Sequence, residues 1–447
     1  MKNERYLKIF GNIVKLQREG ILVEGIENIK IEDMDEELLR GYIASAMGQE
    51  PTDGISLSEL ARKALNEYEM DKPLLTVAGG CTECIGKKEH KCINSCPFDA
   101  MFADGDAGRI KIHMDKCQGC GECIEACSLN KIIDKIQYMP VACLIRDQKA
   151  AVYATIAPSY IGQFGENITP GKLRTAVKML GFKDLIEVAI FADIISIKEA
   201  VEFNILVKKA GDFMITSCCC PIWMGLLKKH YNTLAPHVTP SVSPMIASGR
   251  VVKKIHPGAK VVFIGPCIAK KSEAKEKDVA GAIDYVMTFD ELSEIFKAAE
   301  INFDELDEEV TDCASRGGRI YARTGGVSQC IKETLEKISP CREIKLKASQ
   351  GNGIKECKEL LEKALKGEID TNFLEGMGCV GGCVGGPKVI IDKELGRKLV
   401  NEYGEEAQYK VPVDNLCLLR LLKSIKINNI GELQEDNDKA HIFLRDL

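Results

Sequence analysis

Apolar residues fall in two rhythms along this chain. In the first 75 or so positions they recur every three or four residues. Met34-Asp-Glu-Glu-Leu-Leu-Arg and Leu57-Ser-Glu-Leu-Ala-Arg-Lys-Ala-Leu both carry that spacing, which predicts helices. From about residue 141 short apolar runs alternate with helical patterns. Ala151-Val-Tyr-Ala-Thr-Ile-Ala predicts a buried strand, and Thr169-Pro170 predicts the N-cap and first turn of a helix over Lys172-Leu-Arg-Thr-Ala-Val-Lys-Met-Leu, with Gly181 at its C-cap. Phe213-Met-Ile-Thr and Lys260-Val-Val-Phe-Ile-Gly predict two more strands, each running into a cysteine-bearing loop. Such alternation predicts an α/β fold, and sites in these folds gather where strands end. The pattern divides the chain into a helical segment (1–75), a cysteine-dense segment (76–140) and an α/β domain (141–447).

Bulk properties narrow the class. A chain of 447 residues has room for two or three domains. It holds no run of about eighteen apolar residues such as a membrane helix needs. The opening Met1-Lys-Asn-Glu-Arg-Tyr is charged where a signal peptide needs an apolar core, so the expected location is cytoplasmic. A net charge of −6 without a basic block argues against nucleic acid as a partner. Cysteine changes the picture most, with twenty in the chain. Disulfide scaffolds are short and secreted, whereas these cysteines cluster at short spacings in a long chain, which favours metal ligation.

Cys117, Cys120, Cys123 and Cys127 form C-x2-C-x2-C-x3-C, and Cys81, Cys84, Cys92, Cys96 and Pro97 form C-x2-C-x7-C-x3-C-P. Tight C-x2-C turns let three thiolates converge on one cube, and in two-cluster ferredoxins the fourth cysteine of each run serves the other cluster. This predicts a ferredoxin-like α+β domain with two 4Fe–4S clusters. One would be held by Cys81, Cys84, Cys92 and Cys127, the other by Cys117, Cys120, Cys123 and Cys96. A pair of zinc ribbons is the rival reading, but the 2-2-3 spacing is not a ribbon pattern. Two clusters in one small domain make an electron wire, with potentials typically near about −400 mV.

Three further loops carry cysteine: Thr216-Ser-Cys218-Cys219-Cys220-Pro221-Ile-Trp223, Gly265-Pro266-Cys267-Ile-Ala-Lys270-Lys271-Ser-Glu273, and Glu375-Gly-Met377-Gly-Cys379-Val-Gly-Gly-Cys383-Val-Gly-Gly-Pro387. They supply thiolates from separated strand ends that can converge on a third cluster. Glycines of the third loop let backbone come close to a bulky cofactor. Lys270 adds a positive charge beside anionic ligands.

These loops, in this order behind a two-cluster segment, resemble the three signature loops of the FeFe (iron-only) hydrogenase catalytic domain, T-S-C-C-P-x-W, P-C-x-x-K-x-x-E and E-x-M-x-C-x-x-G-C-x-x-G-G. The likeness spans residues of about 76 to 395, and the triple cysteine resembles a less-studied (group B-like) branch. It implies an H-cluster, in which a 4Fe–4S cubane is joined through one cysteine to a two-iron unit with carbonyl, cyanide and dithiolate ligands. Cys267, Cys379 and Cys383 would hold the cubane, Cys383 bridging to the two-iron unit. The first loop has one cysteine too many. Alignment on Pro-x-Trp makes Cys220 the ligand and Cys219 the proton-relay thiol; alignment on Thr-Ser-Cys shifts these to Cys219 and Cys218. The family's ligand directly precedes proline, which favours the first. Lys270 would hydrogen-bond a cyanide, Pro158 and Ser159 would line the dithiolate, and Met377 would pack on the two-iron unit.

The resemblance extends to proton transfer. Glu199 and Glu202 match two relay glutamates, and their i, i+3 spacing puts both carboxylates on one helix face. Thr239 falls where the family has a relay hydroxyl. Without the resemblance, an exposed helix face is the ordinary fate of two such glutamates. The chain also departs from the best-known members: Gly265 replaces a methionine, Met245 a glutamine, and Leu206, with Lys208 nearby, an arginine at the end of the proton path. Cys143, Cys313, Cys330, Cys341, Cys357 and Cys417 have no ligand spacing and read as incidental thiols. His90 and His113 read as surface residues.

The expected activity is therefore reversible hydrogen activation, 2 H⁺ + 2 e⁻ to H2, with ferredoxin or another low-potential carrier as electron partner and maturases supplying the two-iron unit. A hydrogen or redox sensor and a non-catalytic iron–sulfur electron carrier are the alternatives. The first lacks the signalling module such sensors carry. For the second, eukaryotic relatives of the fold have lost the signature loops that this chain keeps.

Overall fold

The computed structural model describes residues 4–52, 54–66, 74–79, 81, 84, 90–104, 109–217, 219–309, 313–434 and 437–446. Cys218 therefore lies outside the described residues. The chain forms two compact units, one of residues 1–149 and 287–305, the other of 150–286 and 306–447. The helical N-terminal segment and the cysteine-dense segment thus share one unit, completed by a stretch from the middle of the chain. The 75/76 and 140/141 boundaries read from the sequence pattern do not coincide with the unit boundary.

In the first unit the amphipathic pattern becomes the helices Glu4–Arg18, Glu36–Ala46 and Leu57–Asn66. The Asp35 side chain caps the second by accepting from Leu38 N at 3.1 Å. Two short antiparallel strand pairs, Leu75–Val77 with Ile132–Asp134 and Met101–Ala103 with Ile110–Ile112, form the framework of the cysteine segment. The Tyr6 hydroxyl donates to Asp134 O at 2.7 Å and that of Tyr42 to Asn130 O at 2.6 Å. Gly79, at φ +62°, would drive a Cβ to 2.9 Å from Leu38 Cα, so helix Glu36–Ala46 lies flush on the approach to Cys81. The N-terminal helices are thus part of the wall around the cysteines.

The second unit is built on parallel strands. One sheet runs in the order Asp184–Glu187, Val152–Ile156, Lys260–Gly265 and then the strand beginning at Tyr285. Val152–Ile156 is buried along its whole length, as a central strand covered on both faces must be. A second sheet has the order Ala348–Asn352, Phe373–Met377, Met214–Ile215. It is also parallel, with Phe373 opposite Met214. Helix Pro170–Met179 starts at Thr169, whose side chain accepts from Lys172 N at 3.2 Å, and Gly181 follows its end at φ +103°. All three cysteine loops of this unit leave the C-terminal ends of parallel strands, and Pro158 and Ser159 leave the end of a fourth.

The loops are tied together by close approach. The Trp223 indole donates to Thr216 O at 2.8 Å, and a Cβ at Gly376 would lie 2.0 Å from Trp223 Cε3. Gly376→Ala therefore overpacks this contact, and we expect a loss of about 1–3 kcal/mol. The chain has a single tryptophan, so its emission spectrum and a denaturant titration report on the contact. Unchanged emission together with an unchanged midpoint would show that the loop gives way freely.

Candidate functional site

The strand-end loops of the second unit surround one pocket. Cys219, Cys220, Cys267, Cys379 and Cys383 line it, with Lys270, Met377 and Pro158. The remaining wall is mostly apolar, including Ala157, Val188, Ile222, Met245 and Phe263. Ser159 is not in the lining, although its Oγ is buried without a hydrogen-bond partner among the described residues. The glycines of the third loop clear space for protein as well. A Cβ at Gly378 would meet Ile222 Cβ at 2.6 Å, and one at Gly386 would meet Pro266 O at 2.7 Å. Gly265 has its missing volume filled in the same way, since a Cβ there would lie 2.7 Å from the Phe263 ring.

The thiols and the lysine form one electrostatic group. Burial pushes Cys267 up to about 11, helped by Cys220 and opposed by Lys270. Burial, with Cys267 and Cys220, pushes Cys383 up to about 12. Cys220 accepts a hydrogen bond from Gly378 N at 3.2 Å. Thiols so crowded lose their protons readily only to a bound cation, and a metal cluster supplies that. Lys270 donates to Cys219 O at 2.9 Å and to Glu273 Oε2 at 2.6 Å. Burial alone would lower the Lys270 pKa; Glu273, Cys267 and Cys383 overcome this and raise it. Arg445, buried, reaches Glu273 at 3.7 Å while pairing with Glu276 at 2.6 Å and Asp278 at 3.0 Å. Several thiols, one cation and apolar walls around one pocket fit an iron–sulfur cluster.

Glu199 and Glu202 lie on helix Ala189–Leu206, and neither is exposed: both are buried with the helix around them. The ordinary surface reading of two glutamates is therefore wrong here. Thr239 Oγ1 donates to Glu199 Oε1 at 2.8 Å, and Thr239 and Ser217 share a 3.2 Å hydroxyl contact. Ser217 belongs to the first cysteine loop. Glu199 Oε2 has no hydrogen-bond partner among the described residues. Burial raises Glu199 to about 7, with Glu202 adding to it and the Thr216 and Thr239 hydroxyls opposing. Glu202 pairs with Lys198, which is fully buried and also donates to Ser241 Oγ at 3.1 Å. Leu206 and Lys208, by contrast, are exposed. A guanidinium reaches this helix end from elsewhere, as Arg342 donates to Asn204 Oδ1 at 2.9 Å and to Val207 O.

In the first unit the thiols group across the two runs. The charged neighbours of Cys81 are Cys84, Cys127 and Cys92; burial is the larger cause of its rise to about 12. Those of Cys123 are Cys120, Cys117 and Cys96. Among the described residues no three His, Cys, Asp or Glu side chains are drawn in around a single metal ion. His113 stacks on Phe102 with ring centroids 4.0 Å apart.

Sequence reasoning missed Lys198, Ser241, Ser217 and Arg342. Only Lys198 left a trace, as the one lysine, next to Glu199, in the largely apolar relay helix. Cys357, read as incidental, is buried with its sulfur 3.5 Å from Met377 O.

Comparison with known proteins agrees with this geometry. Residues 150–387 match the family described as the iron-only hydrogenase large subunit, C-terminal domain, and residues 74–128 match the 4Fe–4S dicluster domain. Iron hydrogenase 1 of Clostridium pasteurianum is 29% identical over 67% of this chain and 68% of its own length. Nuclear prelamin A recognition factor of Xenopus laevis is 23% identical over 75% of this chain and 88% of its own. An FeFe-hydrogenase HydA1 variant from Chlamydomonas reinhardtii shares the fold, with a TM-score of 0.53 and 21% identity over 66% of this chain and 93% of the other. No helix among the described residues is long and apolar enough to cross a membrane.

The Glu199 carboxyl has a testable consequence. Its folded pKa of about 7 lies above the ordinary glutamate value of 4.5, so the folded state keeps a proton that the unfolded chain releases. That contribution to stability is complete below about pH 4.5, declines as pH rises, and is gone above about pH 7. Glu199→Gln removes it. Relative to wild type, the variant should gain stability across that window and then level off in urea titrations. Parallel pH profiles would show that Glu199 titrates normally.

Proposed function

From the chain's membership of the iron-only hydrogenase large-subunit family, we propose that it catalyses reversible hydrogen activation, 2 H⁺ + 2 e⁻ to H2. The observation that carries this reading is the convergence of four strand-end thiols and Lys270 on one largely apolar cavity. Cys220, Cys267, Cys379 and Cys383 would hold the cubane, with Cys383 bridging to the two-iron unit. When bound, that unit would supply the metal chemistry for heterolytic activation of hydrogen. Lys270 holds a donor and a positive charge at the wall for an anionic cyanide, while Met377 and Pro158 keep the pocket apolar and exclude water. Cys219 takes up the proton, and Glu199 receives it through the hydroxyls of the Ser217–Thr239 pair. Two cubanes, on Cys81, Cys84, Cys92 and Cys127 and on Cys117, Cys120, Cys123 and Cys96, carry electrons to and from ferredoxin or another low-potential carrier in the cytoplasm.

Two features support Cys220 as ligand and Cys219 as relay. Cys220 is an electrostatic neighbour of both Cys267 and Cys383 and accepts an amide hydrogen bond, as a ligating thiolate does. The Cys219 sulfur instead faces Met377 Sδ at 3.8 Å. The triple cysteine fits the group B-like branch. A second reading, an iron–sulfur protein without turnover, draws on the likeness to the prelamin recognition factor. The retained loops and Lys270 speak against it.

Protein matured with the two-iron unit should show carbonyl and cyanide infrared bands and evolve hydrogen from reduced viologen without oxygen. Bands without turnover would point to a sensor, and no bands to the second reading. Cys220→Ala should lose the cubane by iron count. Cys219→Ala should keep every iron and lose hydrogen turnover by a factor of about 10² or more, the scale of a positioned proton donor. The reverse pattern would shift both roles by one residue.

A further inference from the structure

Helix Ala189–Leu206 buries an ammonium next to the carboxylates of the proposed relay. Lys198 is fully buried, and its Nζ contacts Glu202 Oε1 and donates to Ser241 Oγ at 3.1 Å. Ser241 Oγ also lies 3.5 Å from Glu202 Oε2, so lysine, serine and glutamate form a closed triangle. Glu199, one helical turn away, bonds to Thr239 at 2.8 Å.

The charges decide what each carboxylate can do. With Glu199 protonated, Lys198 and Glu202 form a neutral buried pair. A hop from Glu199 to Glu202 breaks an O–H bond on the first and makes one on the second. It leaves an ammonium facing a neutral acid and an ionised Glu199 with an unpartnered oxygen, a costly arrangement in a low-dielectric interior. The two glutamates are therefore not equivalent stations.

We propose that Lys198 is a positioning residue of the proton path, holding Glu202 as an ionised counter-charge and leaving Glu199 as the place where a travelling proton rests. The charged groups acting on Glu199 are Glu202, which favours its proton, and Lys198, which opposes it. This rests on the reading of these glutamates as the proton path, but its test needs no hydrogen turnover, so the two can fail separately.

The test is infrared difference spectroscopy of the carboxylic-acid carbonyl stretch, on protein carrying its cubanes but no two-iron unit, at a pH below about 7. Other buried carboxyls such as Asp193 and Glu375 cancel between variants. A protonated-carboxyl band should vanish in Glu199→Gln and persist in the Lys198→Met/Glu202→Gln double variant, where neither neighbouring charge remains. Lys198→Met alone should gain a second band, absent from that double variant. In Glu202→Gln the unpaired ammonium of Lys198 should move the titration of the wild-type band to lower pH. A purely structural lysine would leave these bands unmoved. Loss of the wild-type band in the double variant, no second band in Lys198→Met, or an unmoved titration in Glu202→Gln overturns the proposal. Should Lys198→Met fail to retain its iron, the Glu202→Gln titration decides alone.

Discussion

The cavity exists because the first and third cysteine loops are pressed together where their strands end. Met214–Ile215 pairs in parallel with Phe373–Leu374, so both loops leave the same end of one sheet. The Trp223 ring then lies where a Gly376 side chain would be, and its indole N–H holds Thr216. Any residue with a Cβ at Gly376 would push the loops apart. The second loop joins across Gly386, whose empty side faces Pro266 O. Five thiols from three loops share one wall because three glycines let protein pack against protein. The space left between them is set by that contact and not by a large hollow in the core.

Charge follows from this geometry. Apolar walls and crowded thiols make the site hostile to anions, and Lys270 is the positive charge that the fold places on the wall. It is held from behind by Glu273, and Glu273 is itself approached by Arg445. Arg445 also pairs with Glu276 and Asp278, so its positive charge is shared among several carboxylates. The ladder keeps Lys270 charged although burial opposes it. A buried ion pair of this kind adds little to stability. Its physical effect is to fix one charge in position beside the thiols.

Much of this was legible in the chain. The strand Val152–Ile156 and the helix opening at Thr169 follow from periodicity and capping, because both rules are local. The cysteine loops were visible because thiols at short spacing have few other uses. Lys198 left only a faint trace, because helix Ala189–Leu206 is buried from Ala189 to Phe203 and shows no polar face that would tell a buried charge from an exposed one. Arg342 was invisible for another reason: it reaches the end of that helix from 138 positions away from Asn204. The third-loop glycines were read as room for a cofactor, yet several are room for Trp223, Ile222 and Pro266. The composition of a pattern shows that close approach occurs but not what approaches. The same limit applies to residues 287–305, whose place beside the N-terminal helices depends on packing and not on local sequence.

Protons and electrons place opposite demands on the protein around such a site. An electron can cross packed apolar residues, but a proton needs a continuous series of groups that both donate and accept. Hydroxyls do this by rotation, and Ser217 and Thr239 are hydroxyls placed between the first loop and Glu199. A carboxylate at the end of the series is useful only if its two protonation states lie close in energy at working pH. Burial alone would keep Glu199 neutral, and nearby hydroxyls alone would keep it ionised; together they bring it to about 7. Glu202, one turn on, has the same chemistry and nearly the same burial but meets an ammonium in addition to a hydroxyl. Two identical side chains on one helix face are thereby made unlike by what each one faces, and the single charge of Lys198 is what separates them.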